Sequence, residues 1–164
     1  MSGEAKDGLD RASAKDAGAE RGRGFGWLTK LERFGVIYAR IALGIGFLSA
    51  VADRFGLWGK YAGWGNFSTF TEYTAQVTHY LPRLFAPFLA WVATVVEIVL
   101  GILLILGLWP RWVSLASAIL LAMFGISMAI SFSVKSPLDY SVFAASSAAM
   151  LLAIWQNREE GPRR

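Results

Sequence analysis

Two long apolar stretches stand out in the pattern of hydrophobic and polar positions along the chain. The first, at about 87–108, contains a single ionisable residue, Glu97, and the second, at about 112–132, contains none. A helix of roughly 20 consecutive apolar residues crosses the hydrocarbon core of a bilayer. Each stretch therefore predicts a transmembrane span.

Two further apolar segments flank these spans. One, at about 34–52, carries Arg40 inside an otherwise apolar run, and the other, at about 138–155, follows Ser136-Pro137. Because Ser is a favoured N-cap and Pro is tolerated in the first helical turn, this dipeptide predicts the start of the last helix. The pattern as a whole predicts an all-α protein, a bundle of four transmembrane helices.

A shorter helix is predicted between spans one and two, at about 70–81. Thr69 and Glu72 have the spacing of a capping box, and Pro82 ends the helical pattern. The helix has an apolar face and a polar face, formed respectively by Phe70, Tyr73, Val77, Tyr80, Leu81 and Leu84 and by Glu72, Gln76 and His79. We expect an amphipathic interfacial helix that lies at the outer membrane surface and caps the bundle.

Small residues indicate where the spans approach one another. In lipid, close backbone contact replaces the hydrophobic drive that operates in water. The candidate pairs are Ala42 with Gly46, Ala118 with Ala122, and Gly125 with Ala129. Since four short spans enclose little volume, we also expect the protein to form a homo-oligomer.

The charged residues suggest the orientation in the membrane. The net charge is +4, but the basic residues flank the apolar spans and do not form a nucleic-acid-binding stripe, so no nucleic-acid partner is expected. Their excess before span one and after span four predicts that both termini are cytoplasmic. Residues 1–30, rich in Gly, Ala and charges of both signs, predict a disordered cytoplasmic tail. Residues 31–157 form the predicted membrane domain, and residues 158–164 form a second short cytoplasmic tail.

Composition excludes several kinds of chemistry. The chain has no cysteine and one histidine, His79. It therefore offers no thiol nucleophile, no iron–sulfur ligands, no paired haem ligands and no metal site of its own. The protein is not expected to be a self-sufficient oxidoreductase or to carry a covalently bound cofactor, and the sequence leaves open whether it is an enzyme at all.

The charge within span two marks the first candidate site. Glu97 falls near the middle of its span, where an ionised side chain is costly and must face the bundle interior and find a partner. Arg40 of span one is the predicted partner, because the difference in depth is within the reach of an extended arginine. Two interpretations stay open: a buried ion pair that fixes the register of two helices, or a polar site that binds a headgroup or moves a proton.

Charges near the outer ends of the spans mark a second candidate site. We expect a small outward-facing polar pocket at the bundle mouth, formed by Asp53, Arg54, Lys60, Asp139 and Tyr140. The alternative for the first two residues is a terminal pair that snorkels to the membrane surface. The alternative for Asp139 is a residue that stabilises a helix N-terminus.

Several segments of this chain resemble the DoxX family of small bacterial membrane proteins. They are Arg40 with the following IALGIGFL, Glu97 with the following IVLGILLILGL, Arg111, and KSPLDYS at 135–141. The resemblance covers about 31–154 and implies a four-helix bundle in the bacterial inner membrane. Where many relatives have a lysine after span one, this chain has Asp53-Arg54.

The resemblance also implies a range of functions. Some relatives are similar to the membrane subunit of a thiosulfate:quinone oxidoreductase, and others to partners in oxidative-stress complexes. The leading hypothesis is an accessory subunit that binds a quinone or similar lipophile at Arg40 and Glu97 and serves a redox protein partner. The alternatives are a small transporter or channel for an anion or weak acid, and a structural assembly factor.

Overall fold

The computed structural model describes the backbone of residues 3–160 and the side chains of residues 27–157, and this part of the chain is helical without a strand. The all-α prediction is confirmed. Two short 3-10 turns, Gly59–Tyr61 and Arg83–Phe85, accompany six α-helices: α1 Gly3–Arg54, α2 Phe67–Val77, α3 Ala86–Leu106, α4 Pro110–Ser131, α5 Lys135–Asp139 and α6 Val142–Glu160.

Three helical segments of the described chain are long and apolar enough to cross a membrane: Trp27–Arg54, Arg83–Leu106 and Pro110–Ser131. The apolar part of α6, Val142–Asn157, is shorter. Its 16 residues extend about 24 Å at 1.5 Å per residue, against a hydrocarbon core of about 30 Å. The fourth crossing therefore stays a prediction.

The N-terminal part of the chain differs from the sequence-based expectation. Helix α1 begins at Gly3, where the composition predicts a disordered tail up to residue 30. The segment contains many Ala, Lys, Glu and Arg residues, which are strong helix formers, and it is continuous with an apolar helix that spares it the cost of nucleation. By internal contacts the chain divides into two units, with the boundary between Tyr38 and Ala39. Residues 161–164 of the predicted C-terminal tail lie outside the described residues.

Helix α2 begins and ends earlier than predicted. Its N-cap is Asn66, whose side-chain oxygen accepts hydrogen bonds from the backbone N–H of Thr69 at 2.9 Å and from the hydroxyl of Thr69 at 3.1 Å. The predicted capping box of Thr69 with Glu72 is therefore wrong, because an Asn three residues earlier already supplies the acceptor. The helix ends at Val77, so Tyr80 and Leu81 follow it and are exposed.

The predicted start of the last span is also wrong. Ser136 and Pro137 lie inside the short helix α5, and α6 begins only at Val142. Between the two helices, Ser141 has a φ of 54° and so adopts the left-handed conformation, which interrupts the helical hydrogen bonding. An ion pair between Lys135 and Asp139, one helical turn apart, joins the two ends of α5.

Helices α1 and α3 pack antiparallel through two glycines. An ideal Cβ built on Gly44 would lie 2.8 Å from the carbonyl oxygen of Gly101 and 2.7 Å from Cγ1 of Ile105, so the backbones nearly touch. The predicted contact residue Gly46 faces open space instead. Packing at this crossing continues into a buried apolar cluster that links α1, α3 and α4, formed by Phe47, Leu100, Leu104 and Val113.

Helices α4 and α6 form the second close pair. Gly125 leaves room for the ring of Phe143, since a Cβ there would lie 2.7 Å from a ring carbon. The hydroxyl of Ser146 donates to the carbonyl of Ala118 at 2.8 Å, and Ala149 is fully buried. Helix α2 packs against α3 and α4, and the hydroxyl of Ser131 donates to the Val77 carbonyl at the C-terminal end of α2.

We predict that Gly44→Val destabilises the protein far more than Gly46→Val does. Both changes add the same β-branched side chain to the same helix, but only the first meets backbone and side-chain atoms of α3. The expected loss is about 1–3 kcal/mol of unfolding free energy for Gly44→Val, as for other overpacked sites. Thermal unfolding in detergent, followed by circular dichroism, measures the difference. Equal melting temperatures for the two variants would contradict the close crossing.

Candidate polar site beneath an aromatic cap

The centre of the site is Glu97, which is 2% exposed. It lies on the buried face of α3, together with Ala90, Thr94 and Gly101. Their spacing of three and four residues places these side chains on one side of the helix. Glu97 follows the first residue of α3 by eleven positions, or roughly 17 Å at 1.5 Å per residue. The carboxylate is therefore in the middle of the 21-residue helix.

Arg54, the last residue of α1, is the partner of Glu97. Its side chain is 4% exposed, and its Nη2 donates to Oε1 of Glu97 at 2.7 Å. Its Nη1 donates to Oγ1 of Thr94 at 2.9 Å, and Thr94 in turn donates to the carbonyl of Ala90 at 2.7 Å. One buried guanidinium thus connects the end of α1 to two neighbouring turns of α3.

An aromatic cap closes the site. Cζ of Arg54 lies 3.8 Å from the ring centroid of Phe70, a buried residue of α2, so the guanidinium face is stacked on the ring. Phe67 of α2 approaches Trp91 of α3 with ring centroids 4.4 Å apart, and Trp64 meets Phe70 edge-on at 5.7 Å. We call Trp64, Phe67, Phe70 and Trp91 the aromatic cap. Within it, Phe70 covers the guanidinium face, and the other rings pack on Phe70 or on Phe67.

Hydrogen bonding within the pair is incomplete. Among the described residues, Arg54 Nε and Glu97 Oε2 are buried and have no hydrogen-bond partner. Oε2 lies 2.7 Å from Nη2 of Arg54, so the ion pair is close, but this contact lacks hydrogen-bond geometry. Buried polar atoms are nearly always paired, and leaving one unpaired costs about 1–3 kcal/mol. The site therefore holds one buried donor and one buried acceptor that have no hydrogen-bond partner.

Arg40 does not reach Glu97, and the predicted Arg40–Glu97 pair is wrong. Arg40 precedes Arg54 by fourteen residues, or roughly 21 Å along α1. Its Nε and Nη2 both donate to the carbonyl oxygen of Leu104 at 3.0 Å. That carbonyl is in the last turn of α3, where it has no partner within the helix and where the dipole favours a cation. Arg40 is thus a cap for the C-terminus of α3.

Gly107 completes the contact with Arg40. It has a φ of 74°, the left-handed conformation that favours glycine at the end of a helix. Its N–H donates to the carbonyl of Leu103 at 2.9 Å, and a Cβ at this position would collide with the Arg40 guanidinium. The glycine therefore serves both the backbone turn and the arginine.

The five residues of the predicted outer pocket are not joined. Within the described part of the chain, no hydrogen bond or ion pair connects any two of Asp53, Arg54, Lys60, Asp139 and Tyr140. Consecutive helical positions point about 100° apart, which separates Asp53 from Arg54.

Each of the other four has its own neighbours. Asp53 accepts hydrogen bonds from the backbone N–H groups of Gly63 at 2.7 Å and Trp64 at 3.1 Å. Asp139 pairs with Lys135, and Nζ of Lys60 lies 5.0 Å from the ring centroid of Tyr61. Tyr140 is exposed and close to Tyr73. Burial raises the pKa of Tyr73, and Tyr140 raises it further.

A family model for DoxX matches residues 35–130. The chain belongs to the DoxX family. With its long apolar helices, this DoxX protein is an integral multi-pass membrane protein. No curated relative and no solved structure matches the chain. The matched region contains Arg40, Arg54, Thr94 and Glu97, whereas α5 and α6 follow it, including the KSPLDYS segment that carries part of the resemblance.

Breaking the buried pair of this DoxX protein on one side should be costly. We predict that Arg54→Met lowers the free energy of unfolding by about 3–5 kcal/mol, because it leaves a buried carboxylate without its cation. The double variant Arg54→Met with Glu97→Met should be more stable than Arg54→Met alone. Asp139→Asn, at an exposed ion pair, is the control and should change stability by less than about 1 kcal/mol.

Thermal unfolding in one detergent compares the four proteins. A double variant that is no more stable than Arg54→Met would contradict the dependence of Arg54 and Glu97 on each other.

Proposed function

We propose that this DoxX protein is an accessory membrane subunit that binds a quinone, or a similar lipid-soluble ring compound, at Arg54, Thr94 and Glu97. The supporting observation is the buried pair with one unused donor and one unused acceptor. A quinone carbonyl would accept from Nε of Arg54, and a quinol hydroxyl would donate to Oε2 of Glu97. The donor would thus bind the oxidised form of the headgroup, and the acceptor would bind its reduced form.

The surroundings of the pair suit a flat ring. Phe70 already stacks on the guanidinium at 3.8 Å, and the neighbouring rings of the aromatic cap approach within 4.4 to 5.7 Å of one another. Aromatic rings hold other π systems in offset or edge-on contact. A headgroup entering from the bilayer would contact the rings of the aromatic cap and the charged groups of Arg54 and Glu97. Small-molecule sites usually combine apolar side chains with a few polar groups in this way.

The chain needs a partner to do redox chemistry. It has no cysteine and a single histidine, so electrons delivered to a bound quinone would come from another protein. We therefore place the subunit in a membrane redox or detoxification complex. Arg40 and Glu97 therefore have different roles and do not form one site. Arg40 stabilises the end of α3, and Glu97 forms the binding site with Arg54.

The proposal includes an arrangement in the membrane. We place α1, α3, α4 and α6 as four spans of a bundle in the bacterial inner membrane, with α2 at the outer interface and both termini in the cytoplasm. The basic residues that precede the apolar part of α1 and follow the apolar part of α6 support this orientation. Exposed tryptophans next to the start of α4, Trp109 and Trp112, suit a membrane boundary. We also propose that the protein assembles as a homo-oligomer.

The binding proposal predicts which variants lose their quinone. We expect quinone in organic extracts of purified wild type, a loss of at least tenfold in Glu97→Gln, and retention in Arg40→Gln. A hydrogen bond to a charged group contributes about 1.5–3 kcal/mol, which corresponds to about tenfold or more in affinity. Mass spectrometry of extracts, normalised to protein, measures the ratio. Arg40→Gln is the matched control, because it removes a half-buried arginine contact away from the site.

The other outcomes point to other functions. Extracts that lack quinone in every sample would overturn the proposal, and flux of a weak acid into liposomes would then assign Glu97 to transport. Equal loss of quinone from Glu97→Gln and Arg40→Gln would indicate that Arg54 and Glu97 have only a structural role.

The orientation is testable because the chain lacks native cysteines. We predict that Ser68→Cys in α2 and Ser133→Cys after α4 react with an impermeant maleimide added outside intact cells, as the outer positions of a four-span bundle. Ser13→Cys and Gly161→Cys should react only after permeabilisation. Labelling of Gly161→Cys from outside would show that the chain crosses the membrane three times.

A further inference from the structure

A cleft of about 420 Å³ opens beside the last turns of α1, away from the Arg54–Glu97 pair. Residues of α1, including Gly46, Ser49 and Asp53, form part of its lining. Three aromatic residues, Trp58, Tyr61 and Trp64, also line it. We call this space the cage cleft. Asp53 and Arg54 are consecutive in the chain, so the two sites begin at neighbouring residues but lie on different sides of α1.

The carboxylate of Asp53 is fixed but not neutralised. It is half-buried, and its two oxygens accept from the backbone N–H groups of Gly63 and Trp64. Among the described side chains, no Lys, Arg or His forms an ion pair with it. Each carboxylate oxygen has further lone pairs available. Asp53 therefore presents a negative charge, held in place, to whatever enters the cage cleft.

The aromatic walls are also held in place. The indole N–H of Trp58 donates to the carbonyl of Ser49 at 3.2 Å, which lays the ring along α1. Trp64 packs against Tyr73 of α2, with ring centroids 4.4 Å apart. Tyr61 is 79% exposed and already carries a cation, the ammonium of Lys60, 5.0 Å from its ring centroid. The aromatic residues thus offer π faces, and that of Tyr61 already contacts the Lys60 ammonium.

This combination selects one chemical class. A carboxylate repels anions, and three π faces give a cation more attraction than a neutral apolar group would gain. Hard metal ions require several oxygen ligands, whereas this cleft supplies one carboxylate surrounded by carbon. Gly46 in the lining has open space beside it, which leaves room for N-methyl or N-methylene groups. We propose that the cage cleft binds an alkylammonium group.

Two sources could deliver that group. One is the amine headgroup of a membrane lipid, and the other is a small soluble amine. Both would place the nitrogen near Asp53 and its substituents against the rings. This site is independent of quinone binding, so either proposal can fail without the other.

The soluble source is tested with tetramethylammonium on full-length protein in phosphatidylglycerol nanodiscs. We expect a saturable saturation-transfer NMR signal from its methyl protons, with an affinity at least tenfold lower in Asp53→Asn. Tyr61→Leu should lose about two- to fivefold, as expected for a cation on an exposed ring. Asp139→Asn, which removes an exposed carboxylate elsewhere, is the control and should match wild type.

The lipid source is tested by native mass spectrometry of the detergent-solubilised protein with phosphatidylethanolamine or phosphatidylglycerol. Preferential retention of phosphatidylethanolamine that Asp53→Asn abolishes would assign the site to a lipid amine. Absence of saturable binding for both probes, or wild-type binding by Tyr61→Leu, would overturn the proposal. Tyr61 is exposed, and its ring contacts only Lys60 among the aromatic and cationic groups described, so its variant tests the site even if Asp53→Asn does not fold.

Discussion

Burial of Arg54 with Glu97 is the constraint on which the rest of the structure depends. Each charge alone costs several kcal/mol to remove from water, and together they are tolerable only in close contact. To bring them together, the side chain of Arg54 at the end of α1 must reach toward the middle of α3, and Thr94 must accept a hydrogen bond from the second guanidinium nitrogen. The opening above Arg54 must then be covered, which is what Phe70 and its neighbours in α2 do. One ion pair thus specifies the end of one helix, the polar positions of a second and the location of a third.

A second arginine on α1 makes the register unambiguous. Arg40 holds the C-terminal turn of α3 while Arg54 holds its centre, and Gly44 meets Gly101 between them. A shift of one helical turn would remove both arginines from their acceptors and press side chains into the glycine contact. In some coiled coils, a single buried polar residue fixes the register at some cost in stability. The antiparallel pair of α1 and α3 therefore has a single favourable alignment.

The sequence predicts the helices well, but it predicts poorly which side chains contact one another. Long apolar runs determined the three membrane-length helices, and a lone acid within one of them identified Glu97. The prediction that Arg40 pairs with Glu97 was wrong because it compared the depths of the two residues below a predicted membrane boundary. Helix α1 in fact ends at Arg54, and the side chain of Arg54 reaches Glu97. Thr94 was missed, although its position three residues before Glu97 on one helical face was a usable signal. Neither the Asn66 cap nor the break at Ser141 follows from hydrophobic period, since both are set by local hydrogen bonding and backbone conformation.

The contact between Arg40 and Leu104 also determines how α3 can open. Helix ends normally fray, because their last carbonyl groups have no partner within the helix and bind solvent instead. Here the carbonyl of Leu104 is bound by a side chain of another helix, and a Cβ at Gly107 would collide with that side chain. The last turn of α3 and its attachment to α1 therefore open as one cooperative unit. Amide hydrogens of this turn would exchange with solvent only when the two helices separate, so their protection reports the association of α1 with α3.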